Sequence, residues 1–346
     1  MLRPPSEAGG GRFVYDRLRM TTVAASGVRE LVDRICAGDV RALARAISLV
    51  ENDAAEAVDL LSGCFPHTGS ALRVGVTGSA GAGKSTLVDK LTRAWRTVGT
   101  SVGVVAVDPS SAFTGGAILG DRIRMHEAIG DSGLYVRSMA TRGCLGGMAR
   151  ATADVSQVIE ASGKDVVLIE TVGVGQDEVD IARLADVTVV VLVPGMGDDV
   201  QSIKAGIMEI ADIFVINKAD RDGADRVEKE IRALQSISGQ VGTWTPPIIK
   251  AIATTGEGID DLLGAIDQMK QWLDVDGRLR TRRKIYWQER IEEMVRQSLL
   301  KQARTHGLSA GELAGHAERV AAGHEDPYRL VPQLVERVFH AQGANG

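Results

Sequence analysis

The hydrophobic positions change their spacing twice along the chain. From about residue 22 to 66 they recur at helical intervals. Val28, Leu31, Val32 and Ile35 follow i, i+3, i+4, i+7, and Val40, Leu43, Ala44 and Ile47 repeat the pattern after Asp39, a favourable N-cap residue. A third, weaker helix follows Asn52, and Phe65-Pro66-His67-Thr68-Gly69 ends the series. From Leu72 the pattern becomes short β-rich runs: Arg73–Thr77, Val102–Val107, Leu134–Arg137, Val166–Ile169, Val187–Val193, Ile213–Ile216 and Ile248–Ile252. Helix-length segments separate most of them. Near-continuous Val/Ile runs alternating with helices predict a mainly parallel sheet covered by helices on both faces. After Trp272 the strand pattern stops. A basic run (Arg278, Arg280, Arg282, Arg283, Lys284) leads into a helix with Trp287, Ile291, Met294, Val295 and Leu299 on one stripe. A polar stretch follows, then a short apolar helix near Leu330 to Phe339. The expected division is an arm at 1–21, a helical region at 22–68, an α/β domain at 69–273 and a helical arm at 274–346.

Composition narrows the function classes. The 346 residues are 44% hydrophobic and 25% charged, ordinary values for a globular protein. A formal net charge of −5 does not suit the wrapping of a nucleic-acid backbone, which rests on clustered Lys and Arg. Aromatics at 4% leave few platforms for stacking bases. The longest apolar run, Val187 to Val193, is far below the roughly 18 residues of a membrane span. Residues 1–19, with Pro4, Pro5 and Gly9-Gly10-Gly11, read as a disordered arm, and Met20 is an alternative start. Cys36, Cys64 and Cys144 are widely spaced and form no CxxC, which points to the reducing cytoplasm and away from a disulfide framework.

The chemistry is concentrated in the α/β region. Gly78-Ser79-Ala80-Gly81-Ala82-Gly83-Lys84-Ser85 fits GxxxxGK[ST] and continues into Thr86. It directly follows a strand and opens an amphipathic helix, the context a phosphate-binding loop requires. The glycines let backbone N–H groups curl around phosphate oxygens, and the helix N-terminus adds partial positive charge. Lys84 is placed to reach the β- and γ-phosphates and Ser85 to ligate Mg²⁺. Asn217-Lys218-Ala219-Asp220 matches NKxD at the end of a late strand. A carboxylate at Asp220 can accept from both guanine N1–H and the 2-amino group, whereas adenine has no such donor pair. Ala253, in Ala253-Thr254-Thr255-Gly256-Glu257-Gly258, is a candidate backbone donor to guanine O6. Glu170 ends an apolar strand where an aspartate is usual, and is a candidate to hold a magnesium-bound water. Gly173 is a candidate N–H donor near the γ-phosphate. Asp121 is the first choice for a further Mg²⁺ contact, Asp108 for orienting the attacking water, and Gln176 for catalysis in a glycine-flanked loop.

Four stretches together resemble the MeaB/ArgK group of P-loop GTPases: GAGKST at 81–86, DPSS with GGAILGDRIRM at 108–125, ETVGVGQDE at 170–178 and NKAD at 217–220. The resemblance covers about 25–340. It implies a P-loop NTPase fold with N-terminal and C-terminal helical extensions, GTP/GDP and Mg²⁺ as ligands, and slow hydrolysis that a partner activates. The implied partner is an adenosylcobalamin-dependent acyl-CoA mutase, typically methylmalonyl-CoA mutase. The implied role is a chaperone that gates cofactor loading and protects the mutase. It also implies a homodimer through the C-terminal arm, and switch segments at 108–125, 171–180 and 194–204. The chain departs from the group in three places: Ser79-Ala80 stands where a proline is common, Ile252 where a serine is, and Thr255 where a glutamate is. The last two bear on the contact at Ala253, not on that at Asp220. Two other readings stay open. An ATP-dependent kinase linked to amino-acid transport sits badly with NKAD. A nickel-insertion GTPase has only Cys64-Phe65-Pro66-His67 as a suggestive cluster.

Overall fold

The computed structural model describes residues 26–108, 131–140, 147–171, 182–195, 208–238, 244–306 and 308–343. They divide into two compact units, one ending at Leu279 and the other starting at Arg280.

Seven strands form one sheet in the first unit: β1 (Leu72–Gly78), β2 (Val102–Asp108), β3 (Leu134–Ala140), β4 (Val166–Glu170), β5 (Val187–Leu192), β6 (Ile213–Asn217) and β7 (Ile248–Ala251). Their order is β3-β2-β4-β1-β5-β6-β7, and every neighbouring pair is parallel. These are the seven runs expected from the sequence, with C-terminal ends shifted by one to three residues and only the start of β1 moved, by one. All residues of β1, β4, β5 and β6 are buried. Burial on both faces is why these strands read as continuous apolar runs and not as alternation.

The longer helices described in this unit are α1 (26–36), α2 (Val40–Glu51), α3 (Ala57–Cys64), α4 (Lys84–Thr97), α5 (Gly147–Ala161), α6 (Ala224–Ser238) and α7 (Ile259–Asp274). Leu87, Leu91 and Trp95 of α4 and Leu262, Ile266 and Met269 of α7 share one core with Val74, Val76, Val104 and Val189 of the sheet. Val227 and Ile231 of α6 pack in a second core with Val190, Phe214 and Ile216. Side chains alternate across a strand, so Val189 and Val190 serve opposite faces. α5 packs on β2 and β4, and α2 and α3 pack on α5.

Asp39 caps α2 as expected, its side chain accepting from Arg41 N at 2.8 Å and Ala42 N at 3.1 Å. The buried face differs from the expected stripe. It is Ala42, Leu43, Ala46, Ile47 and Val50, while Val40 is 50% exposed. At 100° per residue this face centres between Leu43 and Ala46, which leaves Val40 and Ala44 off its centre. Ala42 and Ala46 carry too little hydrophobic signal to mark it in the sequence.

Polar side chains tie this helical region to the sheet domain. Arg137 of β3 donates through Nε to Glu51 Oε1 at 3.0 Å and also pairs with Glu51 Oε2. Gln157 of α5 donates to Leu61 O at 3.1 Å. Glu160 accepts from the N–H groups of Gly69 and Ala71, at 2.6 and 3.0 Å, and so fixes the connection into β1. At the start of the sheet, Asp186 accepts from Arg73 N at 3.0 Å and from Arg73 Nη2 at 3.1 Å. At the end of α7, Trp272 packs 5.9 Å from Trp244, the Arg278 guanidinium lies 4.4 Å over the Trp272 ring, and Trp244 Nε1 donates to Asp212 O.

The second unit contains most of α8 (Arg278–His306) together with α9 (Ala310–Ala321) and α10 (Pro327–Gly343). α9 falls in the stretch read as merely polar. Its signature was present: Ser309 and Glu312 form a reciprocal capping box. Within this unit Leu334 and Val338 are buried, whereas Ile291, Met294, Val295 and Leu299 of α8 are each about half exposed. Among the described residues no helix is long and apolar enough to cross a membrane.

Asp186 is buried and receives three hydrogen bonds from Arg73. Asp186→Ala should therefore destabilise the protein by about 3–5 kcal/mol, because it removes the carboxylate paired with a buried guanidinium. A lowered urea unfolding midpoint at unchanged denaturant slope is the expected outcome.

Candidate nucleotide site

The described residues among those singled out from the sequence gather at the C-terminal ends of the strands, chiefly β1, β4 and β6, the edge of a parallel sheet where ligands bind. β1 runs into the loop Ser79–Gly83, and Lys84 starts α4. Ala82 N donates to Ser79 O at 3.2 Å, which curls the loop. Gly78 has φ +137°, and a Cβ there would collide with the Val191 carbonyl of β5. Gly83 has φ +87°, and a Cβ there would run into Asn217 Nδ2. Both positions need glycine for space as well as for backbone conformation.

Lys84 is buried, with its ammonium folded back over the loop. It donates to Gly78 O at 2.7 Å and Ser79 O at 2.9 Å. Ser85, in the first turn of α4, donates to Glu170 Oε1 at 2.5 Å. Glu170 is itself buried at the end of β4. A hydroxyl and a carboxylate at this spacing form an oxygen-only donor set, the kind a hard divalent cation takes. One residue further on, Thr171 N donates to Val76 O and Thr171 Oγ1 donates to Thr77 Oγ1, each at 3.1 Å. Thr77 was not among the residues singled out.

The base-reading segment is built around Asn217. Its carboxamide is buried, donates to Ala82 O at 2.8 Å and accepts from Ala253 N at 3.1 Å. One side chain on β6 thus joins the phosphate loop to the segment after β7. The Ala253 N–H, expected at guanine O6, is directed at Asn217 Oδ1. Lys218 has φ +56°, a conformation that costs a non-glycine residue about 1 kcal/mol. It is held there by Nζ donating to Gly81 O at 2.8 Å, while Ala219 N donates to Ala251 O at 3.1 Å. Asp220 is exposed at the rim, where a base edge can reach it.

Asp108 closes β2 beside Ala140 of β3. Asp121, Gly173 and Gln176 lie outside the described residues, as do residues 196–204 of the expected third switch. The Cys64–His67 cluster does not assemble a metal site. Burial, and secondarily the neighbouring Cys36, pushes the Cys64 thiol up to about 11, whereas metal binding uses the thiolate. Among the described residues, His, Cys, Asp and Glu form no group of three or more that could hold a metal ion.

Residues 43–307 match the family model described as methylmalonyl-CoA mutase-associated GTPase MeaB. A Pyrococcus abyssi protein named for GTPase activity is 46% identical over 315 residues, covering 90% of this chain and 97% of the relative. The GTPase ArgK of Escherichia coli is 38% identical over 278 residues, 77% of this chain and 84% of the relative. Among solved structures, a LAO/AO transport system kinase superposes with a TM-score of 0.67 at 28% identity, covering 90% of this chain and 97% of its own.

Because Gly83 abuts Asn217, Gly83→Ala should lower guanine-nucleotide affinity at least about tenfold by displacing that carboxamide and straining the loop. Titration of a fluorescent GDP analogue measures this, and the thermal midpoint should move by only a few degrees.

Proposed function

The chain belongs to the methylmalonyl-CoA mutase-associated GTPase family MeaB and is a GTPase; we propose that it serves as a chaperone, gating cofactor loading into an adenosylcobalamin-dependent acyl-CoA mutase and protecting that enzyme. The family's association with methylmalonyl-CoA mutase carries this reading.

In the proposed chemistry, the backbone N–H groups of 79–86 wrap the phosphates, and the α4 N-terminus adds its dipole. Lys84 leaves its two carbonyl partners to pair with β- and γ-phosphate oxygens, a charge contact that strengthens as the γ-phosphoryl departs. Ser85 and Glu170 would hold Mg²⁺, with Asp121 as a further ligand. Bound there, the ion would neutralise charge on the β- and γ-phosphates. Asp108 orients the attacking water, Gln176 completes the catalytic set, and the Gly173 N–H senses the γ-phosphate. Asp220 reads the guanine, with Asn217 and Lys218 holding the segment that presents it. The half-exposed stripe Ile291, Met294, Val295, Leu299 on α8 supports a homodimer through the C-terminal unit.

The solved relative's description as a transport-system kinase keeps one alternative, an ATP-dependent kinase, in view. Nucleotide choice separates the two. A bidentate charged contact is worth a few kcal/mol, so GDP should bind roughly a hundredfold better than ADP. Asp220→Ala should erase that preference while the protein stays folded. Equal affinities in the wild type, measured by competition, would remove the guanine assignment.

The chaperone reading is tested by steady-state GTPase assays with and without an adenosylcobalamin-dependent acyl-CoA mutase from the same source. A partner that prefers the GTP-ordered state must bind more tightly in the presence of GTP, and the expected outcome is a severalfold rise in turnover. No acceleration by any such mutase would leave the GTPase without this role.

A further inference from the structure

Glu170 reaches Ser85 through a side chain one methylene longer than aspartate, with correspondingly more rotamer freedom. The position of its carboxylate therefore depends on how firmly its backbone is held against the phosphate loop. β1 and β4 are adjacent, with Val76 opposite Glu170. The ladder extends one step further through Thr171 N to Val76 O. Side chains add a second tie there: the hydroxyls of Thr171 and Thr77 meet at 3.1 Å, both almost wholly buried, although the residues are 94 positions apart. Thr77 immediately precedes Gly78, whose carbonyl carries Lys84. Thr171 immediately follows Glu170, whose carboxylate carries Ser85. The hydroxyl pair thus sits one residue behind both charged groups of the site. The two hydroxyls bond each other, separately from the bonds of Lys84 and of the Ser85–Glu170 pair. Either hydroxyl left alone would be a buried group without a partner, which makes the pair an all-or-none feature.

We propose that Thr77 and Thr171 are positioning residues for GTP hydrolysis: their buried hydroxyl pair fixes Glu170 relative to the phosphate loop and thereby sets the affinity for the divalent cation. The inference rests on the assignment of Ser85 and Glu170 to Mg²⁺ made above. A net hydrogen bond corresponds to a roughly three- to tenfold effect on an equilibrium.

The test uses the full chain loaded with a fluorescent GDP analogue. Its release rate is followed across a Mg²⁺ titration, and its affinity is measured separately in EDTA. Thr171→Val and Thr77→Val keep the β-branched shape and remove one hydroxyl each. Both should raise the Mg²⁺ concentration for half-maximal slowing of release three- to tenfold. The affinity in EDTA should stay within about twofold of wild type. In GTPase assays kcat should fall with KM little changed. Thr171→Ser, which keeps the hydroxyl, should restore wild-type Mg²⁺ dependence. The double valine variant should be no worse than the more affected single one, as expected when both changes remove one interaction. A merely structural pair would lower the thermal midpoint without moving the Mg²⁺ midpoint.

A wild-type Mg²⁺ midpoint in the valine variants overturns the proposal. So does an equal loss of affinity in EDTA, or failure of Thr171→Ser to restore the midpoint. Should Thr171→Val fail to fold, Thr77→Val carries the same expectation. Mg²⁺-independent release in the wild type would overturn both this proposal and the cation assignment beneath it, whereas a Mg²⁺-dependent wild type with unaffected variants would overturn this proposal alone.

Discussion

The carboxamide of Asn217 donates to Ala82 O and accepts from Ala253 N, and on those two bonds hangs the relation between the phosphate loop and the base-reading segment. The three segments follow β1, β6 and β7; β6 and β7 are neighbours, whereas β5 stands between β1 and β6. A primary amide is the side chain suited to the task, because it offers a donor and an acceptor on opposite sides of one planar group. A carboxylate would lose the donor and a leucine both functions, each leaving a buried backbone group unsatisfied. The absence of a side chain at Gly83 is the complementary condition, since the amide fills that space. Lys218 extends the same clamp by bonding Gly81 from a strained backbone conformation.

Much of this was legible in the sequence because it is local. A strand buried on both faces writes itself as a run of apolar residues, as β4, β5 and β6 do. The phosphate loop and NKAD are contiguous strings, and the backbone geometry of the loop follows from its glycine spacing. What escaped were features that depend on pairing across the chain. The Thr77–Thr171 and Arg73–Asp186 contacts join residues about a hundred positions apart, and no periodicity marks them. Small residues also hid structure: Ala42 and Ala46 turn α2 toward a face that the larger side chains alone misplace. α9 was passed over because its composition is polar, although Ser309 and Glu312 spelled its start. The redirected Ala253 N–H could not be foreseen, because it depends on the rotamer of Asn217.

The helical region before β1 is joined to the sheet domain by more than hydrophobic contact. Arg137 meets Glu51 from β3, Gln157 meets Leu61 from α5, and Glu160 holds the N–H groups of Gly69 and Ala71. β3 and α5 thus anchor α2 and α3, and the connection into β1 leaves from a fixed point. A region tethered in this way transmits displacement of its helices to the sheet more directly than a flexible linker allows.

Two of the chain's four tryptophans, Trp244 and Trp272, lie in contact at the end of α7, with Arg278 stacked on the outer ring. Excitation energy passes readily between indoles at that separation, and a guanidinium against one of them shifts the local field the excited state experiences. Intrinsic emission from this pair is therefore an optical probe of the junction where α8 begins. Trp95, buried near the far end of the helix that the phosphate loop opens, contributes a separate signal.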